Sequence, residues 1–305
     1  GSRIQNYTTN PDNPNEGEVW YNATDNVLKF QYPNKSATGS WRTGPNLNTA
    51  RRELGGAGAS NTSALAFNGN PGSAPETNVI TELYDGSSWT EVNDMNTSRS
   101  AGGGTGTQTA AIAFGGNLQP GYTTATETWN GTNWTTVPGT LNRPASGGIQ
   151  AAGTTTSALG FSGTGPNALT ELYNGTNWTE VNDLNNSRTN AAGTGADNTN
   201  AIVMGGEVPA VTGKVETWNG TNWTETTALN TARDLLTSSG NTNTAVLAFA
   251  GRNPPTLYGR TEEWNGSTWT ELNDMSTARV SLASTALTTP SSAVAFGGDA
   301  SGSQS

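Results

Sequence analysis

Hydrophobic and polar positions follow one pattern that recurs along the chain. In the copy from Arg99 to Val137, a stretch of Gly, Ala and Thr precedes an apolar run, Ala110-Ala-Ile-Ala-Phe-Gly-Gly116. Two further β-rich segments follow, Thr126-Glu-Thr-Trp129 and Asn133-Trp-Thr-Thr-Val137, with an Asn-Gly pair between them. Such a pair predicts a hairpin with a tight turn, because Asn and Gly tolerate positive φ. The copy therefore predicts four short strands.

Side-chain size and polarity predict where each strand lies. The apolar run does not alternate, so we expect both of its faces to be buried between two other sheets. The first strand consists of small residues, which favours an innermost position where sheets converge on an axis. Equivalent apolar runs are Ala64-Leu-Ala-Phe67, Ala158-Leu-Gly-Phe161, Ala201-Ile-Val-Met204, Ala245-Val-Leu-Ala-Phe249 and Ala293-Val-Ala-Phe296.

The unit recurs six times with a spacing of 44 to 48 residues, and its clearest marks are a Trp and an Arg. The Trp is found at Trp41, Trp89, Trp134, Trp178, Trp223 and Trp269. The Arg is found at Arg51, Arg99, Arg143, Arg188, Arg233 and Arg279. A period of this length indicates a propeller or a solenoid. We predict an all-β fold, a six-bladed β-propeller of four-stranded antiparallel blades.

The two ends of the chain are predicted to share one blade. The last copy ends at Ala293-Val-Ala-Phe-Gly-Gly298, which provides only two inner strands. We expect the outer strands in Val27-Leu-Lys-Phe-Gln-Tyr32 and around Ser40-Trp41-Arg42, since such a clasp removes exposed sheet edges. Residues 17–22 and 27–30 also read as a separate hairpin. The predicted organisation is a polar lead-in at 1–16, one propeller at 17–298 and a polar tail at 299–305.

Composition indicates which residues build the core. The hydrophobic content is only 32%, yet the chain has 10 Trp. Fully burying one aromatic side chain removes about 150–250 Å² from water, so a core poor in aliphatic residues depends on its aromatics. We therefore predict a structural role, in the core or between blades, for the six repeated tryptophans.

Composition also excludes several classes of chemistry. The chain has no Cys and no His, which excludes disulfides, zinc sites, Cys nucleophiles, Ser-His-Asp triads and imidazole-bound copper or iron. A net charge of −10 without a basic tract argues against a nucleic-acid partner. No run of 18 apolar residues occurs, so we expect no membrane insertion. We expect no cofactor and no metal.

The order of elements resembles a known repeat. An apolar strand ending in Gly-Gly, a Glu before an aromatic residue, a Trp five residues later and then an Arg recur over residues 27–298. Together they resemble the kelch repeat, although Asn68-Gly69 and Ser162-Gly163 replace Gly-Gly and Met204 replaces Phe. The resemblance implies a module that binds proteins or other ligands. Relatives similar to galactose oxidase need copper held by His and Tyr, which a chain without His cannot supply.

A second resemblance concerns the N-terminal residues. The segment from Asn15 to Phe30 looks like short hairpins in structural proteins of tailed bacteriophages. The near-identical Asn-Gly-Thr-Asn-Trp-Thr copies are similar to repetitive propellers of phage tail-fibre proteins. These resemblances imply a viral protein on the virion surface, or an extracellular one.

The repeated Arg residues have two interpretations. In the structural one, each pairs with a repeat acid and ties adjacent blades; the candidate acids are Glu91, Asp94, Glu180, Asp183, Glu271 and Asp274. In the functional one, six cations form a mouth that binds an anionic ligand. A residue kept in every blade usually serves the blade, so the structural reading is favoured.

Two acidic patterns carry weaker functional readings. Asn-Asp pairs at 93–94, 182–183 and 273–274 suggest Ca²⁺, but they lack the dense ligand spacing of a calcium loop. The turn Asp85-Gly-Ser-Ser-Trp89 is similar to the Asp-box of sialidases. No acid/base pair can be assigned, since each notable carboxylate belongs to the repeat. We therefore expect a protein that is not an enzyme.

Differences between copies predict the binding face. The Asn-Gly turns are nearly invariant, whereas the loops between the second and third strands hold 7 to 12 residues of unlike chemistry. Loops on a rigid scaffold often carry function, and Tyr and Arg are favoured contacts. We predict that these loops lie on the same side of the propeller as the links between blades, which carry the repeated arginines. The predicted contacts are Tyr122, Arg252, Tyr258 and Arg260.

The predicted function is a non-enzymatic recognition or structural module, displayed on a phage tail fibre or virion surface. Its partners would be a host-surface glycan or protein, or other virion proteins. One alternative is a cellular kelch-like scaffold that binds a protein. Another is a hydrolase that acts on glycans.

Overall fold

The structure is a computed structural model that describes residues 5–7, 19–22, 24, 27–30, 40–73, 75–144, 148–163, 168–207, 209–300 and 303–304. The chain divides into two compact units, Gly1–Gly39 and Ser40–Ser305. The predicted boundary between residues 16 and 17 lies outside the described residues, and so do Gln31 and Tyr32 of the predicted outer strand.

The first unit contains a three-stranded sheet in the order β1-β2-β3. Its strands are β1 (Gln5–Tyr7), β2 (Val19–Asn22) and β3 (Val27–Phe30). The predicted hairpin is present, since β2 and β3 pair antiparallel with Asn22 opposite Val27. The same strand was also predicted to complete the last blade. In the structure, β3 pairs with β2 in this separate sheet.

The second unit contains five four-stranded antiparallel sheets, named blades 1 to 5, each with its strands in chain order. Blade 1 has β4 (Gly55–Ser60), β5 (Ser63–Phe67), β6 (Thr81–Tyr84) and β7 (Trp89–Val92). Blade 2 has β8 (Gly103–Thr107), β9 (Ala110–Phe114), β10 (Thr126–Trp129) and β11 (Trp134–Val137). Blade 3 has β12 (Gln150–Thr154), β13 (Ser157–Phe161), β14 (Thr170–Tyr173) and β15 (Trp178–Val181).

Blades 4 and 5 follow the same order. Blade 4 has β16 (Ala192–Asp197), β17 (Asn200–Met204), β18 (Val215–Trp218) and β19 (Trp223–Thr226). Blade 5 has β20 (Thr237–Thr242) and β21 (Ala245–Phe249), a small hairpin of β22 (Arg252–Asn253) and β23 (Thr256–Leu257), then β24 (Thr261–Trp264) and β25 (Trp269–Glu271). The predicted propeller of four-stranded antiparallel blades is thus confirmed for five blades.

The sixth copy of the repeat is not a four-stranded blade in the described residues. It forms a two-stranded sheet of β26 (Ala283–Ser284) and β27 (Ala295–Phe296), with a short 3-10 helix, Pro290–Ser292, between them. A separate small hairpin follows, made of β28 (Asp299–Ala300) and β29 (Ser303–Gln304). The structure therefore has five four-stranded blades among the described residues, not the predicted six. The described strands after Gly298, β28 and β29, pair with each other, and neither pairs with β27 as β24 pairs with β21 in blade 5.

The innermost strands lie side by side around an axis. The strand β8 contacts β4 and β12, β16 contacts β12 and β20, and β26 contacts both β20 and β4. Small residues allow this approach: a Cβ at Gly104 would lie 2.6 Å from the Phe67 ring, and one at Gly56 would lie 2.4 Å from the Ser284 carbonyl oxygen. This crowding explains why the innermost strands consist largely of small residues.

The hairpin between the third and fourth strands differs from the predicted tight turn. Trp129 pairs with Trp134, so the loop has four residues, and of its Asn-Gly pair only Gly131 has positive φ. The Asn130 side-chain oxygen accepts hydrogen bonds from the N–H groups of Thr132 (3.0 Å) and Asn133 (2.9 Å). The Asn is therefore selected for capping the loop with its side chain rather than for a positive φ.

The repeated tryptophans lie between blades. Trp134 packs on Phe67 of blade 1 with ring centroids 4.9 Å apart, and its Nε1 donates to Thr81 Oγ1 at 2.9 Å. Five of the six tryptophans at this position are buried: Trp89, Trp134, Trp178, Trp223 and Trp269. Trp41 is half-buried. It nevertheless makes the equivalent contacts with blade 5, with Phe249 at 4.8 Å and Thr261 Oγ1 at 2.9 Å.

Candidate functional site

Four of the six repeated arginines are fully buried and pair with a buried Glu of the third strand. Arg99 lies 2.6 Å from Glu127, Arg51 lies 2.7 Å from Glu82, and Arg233 lies 3.1 Å from Glu262. Arg188 pairs with Glu216 in the same way. Burial lowers the pKa of each of these arginines, and the paired carboxylate opposes that shift. These four side chains are not available to a ligand.

The acids predicted to pair with the arginines were mostly wrong. The partner is the Glu two residues before the third-strand aromatic, which is Glu262 in the fifth copy. The predicted Asp94, Asp183 and Asp274 instead accept hydrogen bonds from the N–H groups of Thr81, Thr170 and Thr261, at the start of the third strand. A buried cation needs a buried anion, and only the third-strand Glu lies deep enough.

Each buried arginine joins two neighbouring blades. The Arg99 guanidinium binds Glu127 and the Gly115 carbonyl oxygen of blade 2, while its own carbonyl accepts from Gly69 N, at the end of the second strand of blade 1, at 3.0 Å. The same carbonyl contact recurs between Arg51 and Gly298 and between Arg233 and Gly206. The arginine is thus a structural tie, as one interpretation of the sequence proposed.

Arg143 departs from the other repeated arginines. Its side chain is 43% exposed and lies 3.4 Å from Glu180, one of the predicted acids. A spacing difference explains this position. Asn96 precedes Arg99 by three residues, whereas the equivalent Asn142 immediately precedes Arg143, so Arg143 falls short of the buried position. Arg279 is half-buried, and its one described hydrogen-bond partner is the Gly297 carbonyl oxygen at 2.9 Å.

Two residues after most of these arginines, the backbone turns into the left-handed region. The φ values are 53° at Glu53, 52° at Ala101, 53° at Asn190, 49° at Leu235 and 56° at Ser281. Gly148 takes the corresponding place in blade 3 with φ 89°. Residues with a Cβ are uncommon in this region, and a branched side chain such as that of Leu is strained there. Backbone strain repeated around one axis suggests a function for the loop that holds it.

These six residues join one another by backbone hydrogen bonds. Ala101 N donates to Glu53 O (2.7 Å), Gly148 N to Ala101 O (2.9 Å), and Glu53 N to Ser281 O (2.9 Å). Ser281 N donates to Leu235 O (3.1 Å), and Leu235 N donates to Asn190 O (2.8 Å). We call this set of six the rim. The described hydrogen bonds of the rim use backbone groups, so they do not require a particular side chain. The residue type differs at each of the six positions: Glu, Ala, Gly, Asn, Leu and Ser.

The rim encloses a central cavity of about 340 Å³, lined also by the innermost strands. Hydroxyl and amide side chains dominate its polar lining, and they include Asn117, Gln150, Thr194, Thr237 and Ser284. Tyr122, 54% exposed, contributes an aromatic ring. Among the described lining residues, Glu53 is the one carboxylate.

Glu53 is the titratable group of this cavity. Burial raises its pKa, and the negative charge of Glu76 acts in the same direction. Arg52, 3.9 Å away, and a hydrogen bond from the Ser100 side chain act in the opposite direction. A partly buried acid with a raised pKa in a concave site is a common feature of functional sites. Glu53 was not among the residues predicted from the sequence, and its position two residues after Arg51 was the available signal.

The four predicted loop contacts do not form one patch. Tyr122 lines the central cavity from blade 2, whereas the other three belong to blade 5. Arg252 lies 3.2 Å from the buried Asp234. Arg260 binds Glu271 at 2.8 Å and lies over the Tyr258 ring, 5.5 Å from its centroid. The links that follow the repeated arginines line the cavity together with Asn117 and Tyr122 from the second-to-third-strand loop of blade 2.

The Asn-Asp pairs have structural partners. Asn93 Nδ2 donates to Thr132 O (3.0 Å) and Asn133 Oδ1 (2.9 Å) in the hairpin loop of the next blade. Asn182 makes the equivalent bonds with Thr221 and Asn222. In the part of the chain that the structure describes, no three acidic side chains cluster as a metal site would require. Helices long and apolar enough to cross a membrane are not found among the described residues.

Comparison with known proteins supports the fold. The solved structure titled "Structure of YjhT" is similar with a TM-score of 0.69 and 11% sequence identity, over 86% of this chain and 94% of that chain. At this identity the likeness shows the fold alone, a β-propeller. No protein-family model matches the chain. No curated protein matches it.

Proposed function

We propose that the protein is a non-enzymatic recognition module that binds a glycan in the central cavity. The observation that carries the proposal is the rim, whose backbone is left-handed at all six positions although five of them carry side chains, and these five side chains all differ. A structural device alone would favour Gly at all six positions, as at Gly148. The cavity volume of about 340 Å³ falls in the usual range of ligand sites.

The chemistry of the cavity favours a glycan over a protein. The half-buried side chains of Gln150, Asn190 and Thr237 provide donors and acceptors for a sugar, and Tyr122 provides a ring for an apolar sugar face. A protein contact site would be expected to carry more aromatic and Arg anchors. Glycoside hydrolysis uses a pair of carboxylates, whereas the described lining supplies Glu53 alone. This supports binding without turnover.

We also propose that the module is displayed on a virion surface, such as a phage tail fibre. The support is the resemblance of residues 15–30 to phage hairpins, together with the β2–β3 hairpin found there. A kelch-like relationship is proposed on the repeat pattern alone. Genes for tail or baseplate proteins beside the coding gene would support the virion proposal; a metabolic gene neighbourhood would count against it.

The proposed sixth blade is shared between the chain ends. Trp41 makes the contacts with blade 5 that Trp134 makes with blade 1, which supports a fourth-strand position for residues around Trp41. The strands β26 and β27 would be its first and second strands.

A glycan array tests the binding proposal. We expect selective binding by the wild type, and at least about tenfold weaker binding when Tyr122→Ala and Asn190→Gly remove a ring and an amide from the cavity. Gly is chosen at 190 because φ is positive there. The control carries Tyr258→Ala and Arg260→Ala; Arg252 is retained because its loss would leave buried Asp234 unpaired. If the control loses binding and the cavity variant keeps it, the site lies on blade 5.

A further inference from the structure

An open groove lies beside the incomplete sixth sheet. It has a volume of about 260 Å³ and runs between β27 and the segment around Trp41. Among the described strands, β26 is the one hydrogen-bonded neighbour of β27. In blades 1 to 5, the other side of the second strand pairs with the third strand. The groove therefore occupies the third-strand position of a sixth blade, and it shares no lining residue with the central cavity.

Each complete blade shows what a third strand contributes. In blade 2, Thr126 Oγ1 accepts from Trp178 Nε1 of the next blade. Glu127 accepts from Arg99 and from the backbone N–H groups of Asn96 (2.8 Å) and Thr97 (3.1 Å). Trp129 packs beside Trp134 with ring centroids 5.6 Å apart. The third-strand pattern Thr-Glu-x-Trp or Thr-Glu-x-Tyr thus contacts three groups: the Trp of the next blade, the link that carries the repeated Arg, and the fourth-strand Trp of its own blade.

The groove presents the groups that would receive such a pattern. Arg279 stands where Arg99 stands in blade 2, but no carboxylate binds it in the described structure. Ser276 and Thr277 correspond to Asn96 and Thr97, and no partner is described for their backbone N–H groups. These three residues all line the groove. A guanidinium and two N–H groups that converge are a carboxylate receptor, and hydrogen bonds of this kind are strong.

Two tryptophans at the groove lack contacts that the equivalent tryptophans make in other blades. Trp41 is half-buried, whereas the tryptophans at the equivalent position of blades 1 to 5 are buried. Trp89, which lines the groove, has no described acceptor for its Nε1, although Trp134 and Trp178 each donate to a third-strand Thr. A third strand with an aromatic residue and a Thr would supply both contacts.

We propose that this groove binds an extended strand of a partner protein that carries the pattern Thr-Glu-x-Trp or Thr-Glu-x-Tyr, and that the strand completes the blade by β-strand addition. Charge complementarity favours a strand supplied by a partner over the flanking residues of this chain. Residues 26–52 contain no Asp or Glu, and neither do residues 300–305. Either of these two segments would leave Arg279 without a counter-charge, whereas the partner's Glu provides one.

The complete blades also define the register of the added strand. In blade 2, Phe114 lies opposite Thr126, Ala113 opposite Glu127 and Ile112 opposite Thr128. By equivalence, the added Thr lies opposite Phe296, the added Glu opposite Ala295, and the next residue opposite Val294. Burial lowers the pKa of Arg279 without a described acid to oppose it, so the added Glu also relieves an uncompensated charge.

A peptide that copies residues 124–130 (Thr-Ala-Thr-Glu-Thr-Trp-Asn), with blocked ends and a fluorescent label, tests the proposal by anisotropy. We expect saturable binding to the full chain. A peptide with Gln in place of Glu should bind at least about tenfold more weakly, and so should the original peptide to Arg279→Met. Lys214→Met, which removes an exposed charge paired with Glu225, should bind as the wild type does.

Cross-linking tests the register. The chain has no Cys, so Val294→Cys provides a unique thiol. It should form a disulfide with a peptide that has Cys at the place of Thr128, and not with one that has Cys at the place of Trp129, because directly opposite residues are closest.

Three results would overturn the proposal. One is equal affinity for the Glu and Gln peptides, and another is cross-linking that ignores register. The third is no saturation up to about 1 mM peptide, which corresponds to negligible affinity and would leave the groove to the chain's own residues or to a second copy. Glycan binding in the central cavity is measured separately, so failure of one proposal does not affect the other.

Discussion

At the scale of the residue, an Arg and a Glu decide how successive blades are connected. The side chains of Arg99 and Glu127 are fully buried, and each carries several hydrogen bonds besides the ion pair. Burying two charges is costly, and these hydrogen bonds offset much of the cost, although Arg99 Nε is buried without a partner. The carbonyl of the same Arg bonds to the preceding blade. One residue therefore aligns two sheets.

Arg99→Met should lower the free energy of unfolding by about 3–5 kcal/mol, because Glu127 is left buried and unpaired. Arg143→Met is the matched control; its pair with Glu180 is exposed on both sides, and such pairs contribute about 0–1 kcal/mol. Urea unfolding at neutral pH measures both. Equal losses for the two variants would show that burial of the ion pair does not determine its contribution.

At the scale of the element, the fourth strand of each blade packs against the preceding sheet through its Trp. Trp178 is 5% exposed, packs on Phe114 with ring centroids 4.5 Å apart, and donates Nε1 to Thr126 Oγ1 at 2.9 Å. The chain is poor in aliphatic residues, so this contact supplies much of the apolar surface between blades 2 and 3. The next two residues of the strand, Thr179 and Glu180, are exposed.

Trp178→Ala should cost about 3–5 kcal/mol, as expected for removal of a large buried side chain. Thr126→Val removes the acceptor and keeps the ring, so it should cost less, about 1–3 kcal/mol for an unpaired buried N–H group. Thermal and denaturant unfolding report both values. A cost below about 1 kcal/mol for Trp178→Ala would mean that the ring lies at the surface.

At the scale of the whole molecule, β26 contacts both β20 and β4, and Trp41 contacts blade 5. A closed arrangement of sheets protects edges that would otherwise pair with other chains. The central cavity depends on the same arrangement, because its lining comes from every blade and from β26.

Deletion of residues 1–43 should expose the edge of the last sheet, and we expect aggregation or loss of cooperative unfolding. Trp41→Ala in the full chain is the companion variant; it should lower the melting temperature without aggregation, because only the ring contact with Phe249 and the hydrogen bond to Thr261 are lost. Light scattering during a thermal scan separates the two effects. A monomeric deletion variant with unchanged melting would contradict the proposed shared blade.

Local patterns were sufficient to predict most strands. The run from Ala110 to Phe114 is a buried strand, as its lack of alternation predicted. Hairpins were predicted at the Asn-Gly pairs, but not their length, because the Asn130 side chain rather than its φ closes the loop. A side-chain cap is not distinguishable from a two-residue turn by composition alone.

The sequence by itself determined the repeat, the four-strand unit and the structural role of the tryptophans, because these depend on period and polarity, whereas the structure decided that the tryptophans lie between blades. The tertiary structure decided which Glu partners each Arg, since third-strand depth is not visible in a linear spacing. It also decided that Arg143 is exposed, that six residues distant in sequence form the rim, and that Arg279 lines an open groove. Each of these results depends on residues far apart in sequence that meet only when the blades are arranged around an axis.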